Sequence, residues 1–237
     1  MFFSCTNLRL VSFRGSVREI QERTFSGCYE LEQVLIPAGL EKIGVEAFYE
    51  CTNLKHVVLP STVKEIQRQA FTNDRYFEEL VLPKSLERLE ESVFHGCFGI
   101  KKLTIPGFLK EIPMKTFYGC KGLKELIIQE GVQKIGDQAL GRCMELKSVE
   151  LPQSITELGE GVFESCSHLK KIVLPMGLRR IGSNCCKVCG ADRDHFSRFS
   201  GGNWRKCLWC LHRVGRCRGI YCSEVYAVCL YWRKNGT

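Results

Sequence analysis

Apolar positions along this chain follow one template that repeats every 23 residues. Phe2, Phe25, Phe48, Phe71, Phe94, Phe117 and Phe163 stand at equal steps, with Leu140 in the single gap. Three residues after each aromatic comes Cys5, Cys28, Cys51, Cys97, Cys120, Cys143 or Cys166, with Asp74 as the exception. Between these marks lie LEQVLIP (31–37), LKHVVLP (54–60), FEELVLP (77–83), IKKLTIP (100–106), LKELIIQ (123–129), LKSVELP (146–152) and LKKIVLP (169–175). Their period-two alternation predicts a short, half-buried strand in each unit. The proline that closes most of them cannot donate to a ladder, so the strand stops there. A second apolar pair follows, as in Leu40 and Ile43 or Val63 and Ile66. Gly44, Gly136, Gly159 and Gly182 come next, where a turn with positive φ is expected. The A-F-x-x-C-x-x-L segment then suits about one helical turn packed against the strands.

A period between twenty and fifty residues is the mark of a repeat architecture. Such units cannot bury their apolar face alone and become stable by stacking. The expected fold is therefore a repeat solenoid over residues 1–186, with a parallel sheet on one face and short helical or turn segments on the other. Its interior would hold the Phe and Cys ladders, each buried Phe contributing roughly 1.5–3 kcal/mol. The cysteines are expected to be reduced, because equivalent side chains in a parallel stack point the same way and free Cys packs well in cores.

The unit resembles the BspA-like class of leucine-rich repeats, L-x-x-[IV]-x-[LI]-P-x-x-[LV]-x-x-I-G-x-x-A-F-x-x-C-x-x-L, over about residues 1–189. Departures are Asp74 for Cys, Leu140 for Phe, Gln129 for Pro, and Phe77 and Ile100 for the leading Leu. The resemblance implies a leucine-rich-repeat solenoid used for protein or surface binding, sometimes adhesion, with no catalytic centre of its own.

In a solenoid a partner would meet the outward positions of the strands. One such row reads Leu10, Gln33, His56, Glu79, Lys102, Glu125, Ser148 and Lys171. The other reads Ser12, Leu35, Val58, Val81, Thr104, Ile127, Glu150 and Val173. The second row is mostly apolar or β-branched, as strand propensity alone would give and as a recognition stripe would also require. Beside them Lys55, Lys101, Lys124, Lys147 and Lys170 follow the leading Leu or Ile, a row that could attract an acidic partner or simply keep the face soluble. The function expected is a scaffold that binds a protein through this strand face. A fragment of a cell-surface adhesion protein is the alternative within the same class.

Composition adds a division. The chain of 237 residues has 34 Lys and Arg against 26 Asp and Glu, a net charge of +8. Residues 183–237 hold ten Lys and Arg against three Asp and Glu, so +7 of that charge belongs to the tail and the repeats are balanced. Eight of the fifteen cysteines also fall after residue 184. A second segment, 187–237, is thus a basic Cys-rich tail. Cys186-x2-Cys189 and Cys207-x2-Cys210 have the spacing of a four-thiolate zinc site. Against zinc, Cys186 and Cys189 already continue the repeat register, and the Arg, Trp, Gly and Cys bias also suits translation outside the proper frame or a disordered end. Trp204, Trp209 and Trp232 among basic residues raise a nucleic-acid reading, which composition disfavours.

The five histidines fall at unrelated positions, and neither a phosphate-cradling glycine motif nor a recurring carboxylate pair is present, so no enzyme and no small-molecule substrate are expected. Apart from zinc in the tail, no cofactor is called for. No stretch reaches the roughly 18–20 apolar residues of a membrane span, and no secretory signal is visible. Met1 falls where small residues precede the Phe, so the chain is expected to begin within a repeat and to lack its N-terminal part.

Overall fold

A computed structural model describes residues 2–186, apart from His56, Glu78 and the side chain of Glu79. Each 23-residue unit makes one turn of a solenoid, and successive turns are joined by hydrogen bonds on three sides. The first side is the predicted sheet, with strands Leu10–Ser12, Gln33–Leu35, Glu79–Leu80, Lys102–Ile105, Glu125–Ile128, Ser148–Glu150 and Lys171–Val173. All pairings are parallel and keep the 23-residue register, for example Leu10 with Gln33 and Glu125 with Lys102. The burial pattern follows the alternation: Val34, Leu103, Leu126 and Val149 point inward, and their neighbours point out.

A second parallel ladder was not anticipated. Two-residue strands at Glu19–Ile20, Lys42–Ile43, Glu65–Ile66 and Arg88–Leu89 pair in order, and Glu111–Ile112, Lys134–Ile135, Glu157–Leu158 and Arg180–Ile181 continue the series. The second apolar pair of each unit supplies their inward side, with Ile43, Ile66 and Ile135 fully buried. The proline that follows most strands of the first ladder opens the turn between the two, its carbonyl accepting from the residue three later, as Pro37 does from Leu40 at 3.0 Å.

The third side corrects the expectation of a helical turn. Among the described residues there is no helix; A-F-x-x-C is built from successive hydrogen-bonded turns. Two residues per unit explain why. The position two before the aromatic has positive φ in Arg23, Glu46, Gln69, Ser92, Lys115, Gln138, Gly161 and Asn184. The position two after it has positive φ in Ser4, Gly27, Glu50, Asn73, Gly96, Gly119, Arg142 and Ser165. A right-handed helix cannot cross a left-handed residue, so the chain bends sharply at both. Bonding between turns compensates for the backbone strain: Glu46 N donates to Arg68 O at 3.0 Å and Glu50 N to Thr72 O at 2.8 Å.

The glycines flagged for positive φ are not among these residues. Gly44, Gly136, Gly159 and Gly182 have ordinary φ, and their role is close approach. A Cβ on Gly44 would stand 2.7 Å from the backbone nitrogen of Glu22 in the preceding turn.

Inside, the aromatics stack as a spine. Ring centroids lie 5.6, 5.3, 5.1, 5.5 and 5.5 Å apart from Phe2 through Phe117, with nearly parallel planes. Phe77, at a leading-Leu position, adds a buried ring against Phe71 and Phe94 at 5.8 and 6.0 Å. The cysteines form a parallel file, buried at Cys28, Cys51, Cys97, Cys120, Cys143 and Cys166 and exposed at Cys5.

Candidate interaction surface

The thiol file is structural. Each buried thiol donates to the carbonyl of the aromatic position 26 residues earlier, as Cys51 does to Phe25 O at 3.2 Å, Cys97 to Phe71 O at 3.0 Å and Cys120 to Phe94 O at 3.3 Å. Burial pushes the Cys120 thiol up to about 12 and those of Cys51 and Cys97 upward as well, so all three are uncharged and poor nucleophiles. Asp74 interrupts the file. It is fully buried, neither carboxylate oxygen has a hydrogen-bond partner, and burial pushes its pKa well above the ordinary carboxylate value. His95 lies in the neighbouring turn, where burial followed by the charges of Lys115 and Arg142 lowers its pKa, and its ring packs edge-on against Tyr118 at 5.2 Å. Among the described residues no three His, Cys, Asp or Glu side chains converge as metal ligands, and no helix is long and apolar enough to cross a membrane.

The outward rows are presented by the first ladder, whose inward residues are locked in the core. Gln33, Lys102, Glu125, Ser148 and Lys171 are exposed along one row. Lys102 Nζ meets Glu125 Oε2 at 3.0 Å across adjacent turns, a pair open to solvent on both sides and so worth about 0.2–1 kcal/mol. Along the other row Leu35, Val58, Val81 and Ile127 are 51%, 80%, 78% and 47% exposed. Thr104 and Val173 are half-buried, and Glu150 is exposed at the far end. The two rows therefore share one face and run along the solenoid axis in strict register. His56 and the side chain of Glu79 lie outside the described residues. So do Cys189, Cys207 and Cys210, which with Cys186 made the zinc spacing; Cys186 itself is half-buried and packs against the end of the core.

Sequence reasoning missed that Asp74 is wholly buried, although its substitution into a cysteine position was the available signal. It also missed the registered pairs that cross between turns, such as Glu111 Oε1 with Lys134 Nζ at 2.8 Å. A residue spacing of 23 between opposite charges would have found them.

Comparison with known proteins fits this architecture. The BspA type leucine rich repeat region, in six copies, matches residues 1–101 and 89–196. No curated protein sequence matches the chain. A leucine rich cell surface protein from Faecalibacterium prausnitzii is similar in structure, with TM-score 0.63 and 28% identity over 70% of this chain and 47% of that one. A leucine-rich repeat protein from Eubacterium ventriosum shares the fold, with TM-score 0.67 and 17% identity over 77% of this chain and 61% of that one. The chain thus spans about half the length of the first and three fifths of the second. The file of stacked 23-residue turns and the family match lead to one assignment: the chain belongs to the BspA-type leucine-rich repeat family.

Proposed function

We propose that the repeat array is a binding scaffold that captures a protein partner on the outward strand rows and catalyses nothing. One observation carries this reading. Leu35, Val58 and Val81 on three successive turns, and Ile127 beyond the half-buried Thr104, stay exposed although the residue before each is buried, so the stack presents an apolar stripe. Exposed apolar surface of this kind marks interaction sites. Because three ladders hold the backbone, the stripe is preorganised, which lowers the ordering cost of binding. Gln33, Lys102, Glu125, Ser148, Glu150 and Lys171 form its polar rim.

A role at a cell surface is the second reading, supported by the printed name of the Faecalibacterium relative. Both readings are tested by probing an array of secreted and surface-exposed proteins with the wild-type chain and with a Leu35→Ser, Val58→Ser, Val81→Ser, Ile127→Ser variant. A genuine partner is held by the wild type and loses at least about tenfold in affinity to the variant, the equivalent of about 1.4 kcal/mol, while the melting temperature stays nearly unchanged. A partner bound equally by both proteins places the site elsewhere. Capture of no protein at all removes the scaffold reading.

A further inference from the structure

Charges that stand in register on this solenoid are usually of opposite sign. Glu19 meets Lys42 at 3.1 Å, Glu32 meets Lys55 at 3.3 Å and Glu41 meets Lys64 at 3.1 Å, each across one turn. One row breaks the rule. Lys101, Lys124, Lys147 and Lys170 occupy the same register position on four successive turns, and all are exposed. Among the described residues Lys124, Lys147 and Lys170 have no ion pair, and Glu78, the register neighbour of Lys101 on its other side, lies outside the described residues. Backbone bonds join the row in two pairs: Lys124 N donates to Lys101 O at 2.9 Å, and Lys170 N to Lys147 O at 2.9 Å. Adjacent parallel strands lie about 4.8 Å apart, which sets the spacing of the lysine stems.

The strip around this row changes sign along the molecule. Residues 98–102, 121–125, 144–148 and 167–171 contain seven Lys and two Glu, a net of +5. The equivalent residues of the four preceding turns, 6–10, 29–33, 52–56 and 75–79, contain three Lys or Arg and four Glu, a net of −1. Keeping a face soluble requires only that charges of both signs be interspersed. Like charges held in file at less than the Debye length of about 8 Å repel one another without effective screening. A linear polyanion lying along the file would relieve that repulsion.

We infer that Lys101, Lys124, Lys147 and Lys170 form a docking strip for an extended anionic polysaccharide laid along the solenoid axis. Spacing selects this class. A polyuronate carries one carboxylate on each sugar ring, and in its extended two-fold form same-face carboxylates recur every second ring, close to every second turn of the stack, so it stays in step with alternate lysines. An extended acidic peptide places same-face side chains about 6.6–6.8 Å apart and falls out of step within a few turns. Single-stranded nucleic acid needs free aromatic rings for its bases. Phe98, the aromatic of this strip, is already covered by Lys121 Nζ at 4.7 Å from its centroid. The strip lies beside the apolar stripe and does not depend on that stripe binding a protein.

The test uses the full chain and oligogalacturonates of increasing length as the probe. Wild-type affinity is expected to rise with oligomer length until the row is spanned, and to fall as salt rises. The variant Lys101→Gln, Lys124→Gln, Lys147→Gln, Lys170→Gln should lose at least about tenfold, with the slope of log affinity against log salt reduced by about one per lysine. A control with the same change in net charge, Lys64→Gln, Lys84→Gln, Lys110→Gln, Lys115→Gln, should bind as the wild type does. Any of four results overturns the inference: no binding by the wild type, an unchanged row variant, equal loss in the control, or tighter binding of single-stranded DNA of equal charge. Loss here with retention of a protein partner on the apolar stripe separates this inference from the scaffold reading.

Discussion

Replacing Asp74 by cysteine would restore the thiol file at its one break, and the structure gives the size of the effect. Asp74 is fully buried between Cys51 and Cys97, with both oxygens unpartnered. Other buried polar side chains fare better; Thr72 Oγ1 donates to Ser92 O at 2.8 Å and Thr116 Oγ1 to Pro113 O at 2.8 Å. Leaving a neutral buried polar group unsatisfied costs about 1–3 kcal/mol. A cysteine at 74 would sit where its neighbours donate to the carbonyl 26 residues back, here Phe48 O. Titration adds to this gain. Burial raises the folded pKa of Asp74 above the unfolded value, which is about 3.9. The carboxyl is then neutral in both states at low pH, so the wild type is relatively most stable there. As pH rises past the unfolded pKa, only the unfolded chain releases its proton, and the wild type loses up to about 1.4 kcal/mol per pH unit until the folded group titrates. Asp74→Cys should therefore be more stable by about 1–3 kcal/mol near pH 4, with the margin widening toward neutrality. The assay is urea unfolding under reducing conditions at several pH values, with Asp74→Asn as the control. Asparagine removes the titration and keeps an unsatisfied amide, so Asp74→Cys should exceed it by a margin that does not vary with pH. A cysteine variant no more stable than wild type at pH 7, or a wild-type-to-cysteine margin that stays flat with pH, would refute the argument.

Thiol accessibility gives a second measurement. Alkylation of the native protein read peptide by peptide should label Cys5 and spare Cys28, Cys51, Cys97, Cys120, Cys143 and Cys166; rapid labelling of any of these six would show that the stack opens. Gly44→Ala should cost about 1–3 kcal/mol by forcing a methyl against the Glu22 backbone. Because Gly44 does not need positive φ, Gly44→Ser should be at least as damaging, and a neutral result for either would contradict the close approach.

The sheet face was legible because strand alternation and the 23-residue period act together, so each outward residue could be named before its surroundings were known. Val58 and Val81 are as exposed as that alternation required. The spine was legible for the same reason, since Phe at a fixed interval has no other place in a stack. Two features were hidden. The second ladder has strands of only two residues, too short for any period to register. The left-handed residues are mostly Arg, Glu, Gln and Ser, and glycine, the usual signal, fills only four of the sixteen. There the bonds to the next turn override local preference, so what fixes the backbone lies 23 residues away. Conversely, Gly44 carried the expected signal for the wrong reason, because a residue lacking Cβ serves close packing as well as unusual dihedrals. The zinc spacing rests on Cys189, Cys207 and Cys210, outside the described residues.

The three ladders also determine how the molecule bears tension. Their hydrogen bonds run along the solenoid axis, between one turn and the next. Tension applied between the two ends of the stack pulls on the bonds of one terminal turn at a time and does not shear all turns together. Each turn occupies about 4.8 Å of axis and releases 23 residues, or roughly 75–83 Å of chain at 3.3–3.6 Å per residue. Stretched, the stack yields turn by turn at modest force, lengthening more than tenfold per turn released while the remaining turns stay folded. A pulling experiment would record a staircase of even steps, and the molecule would behave as an extensible tether that absorbs a jolt.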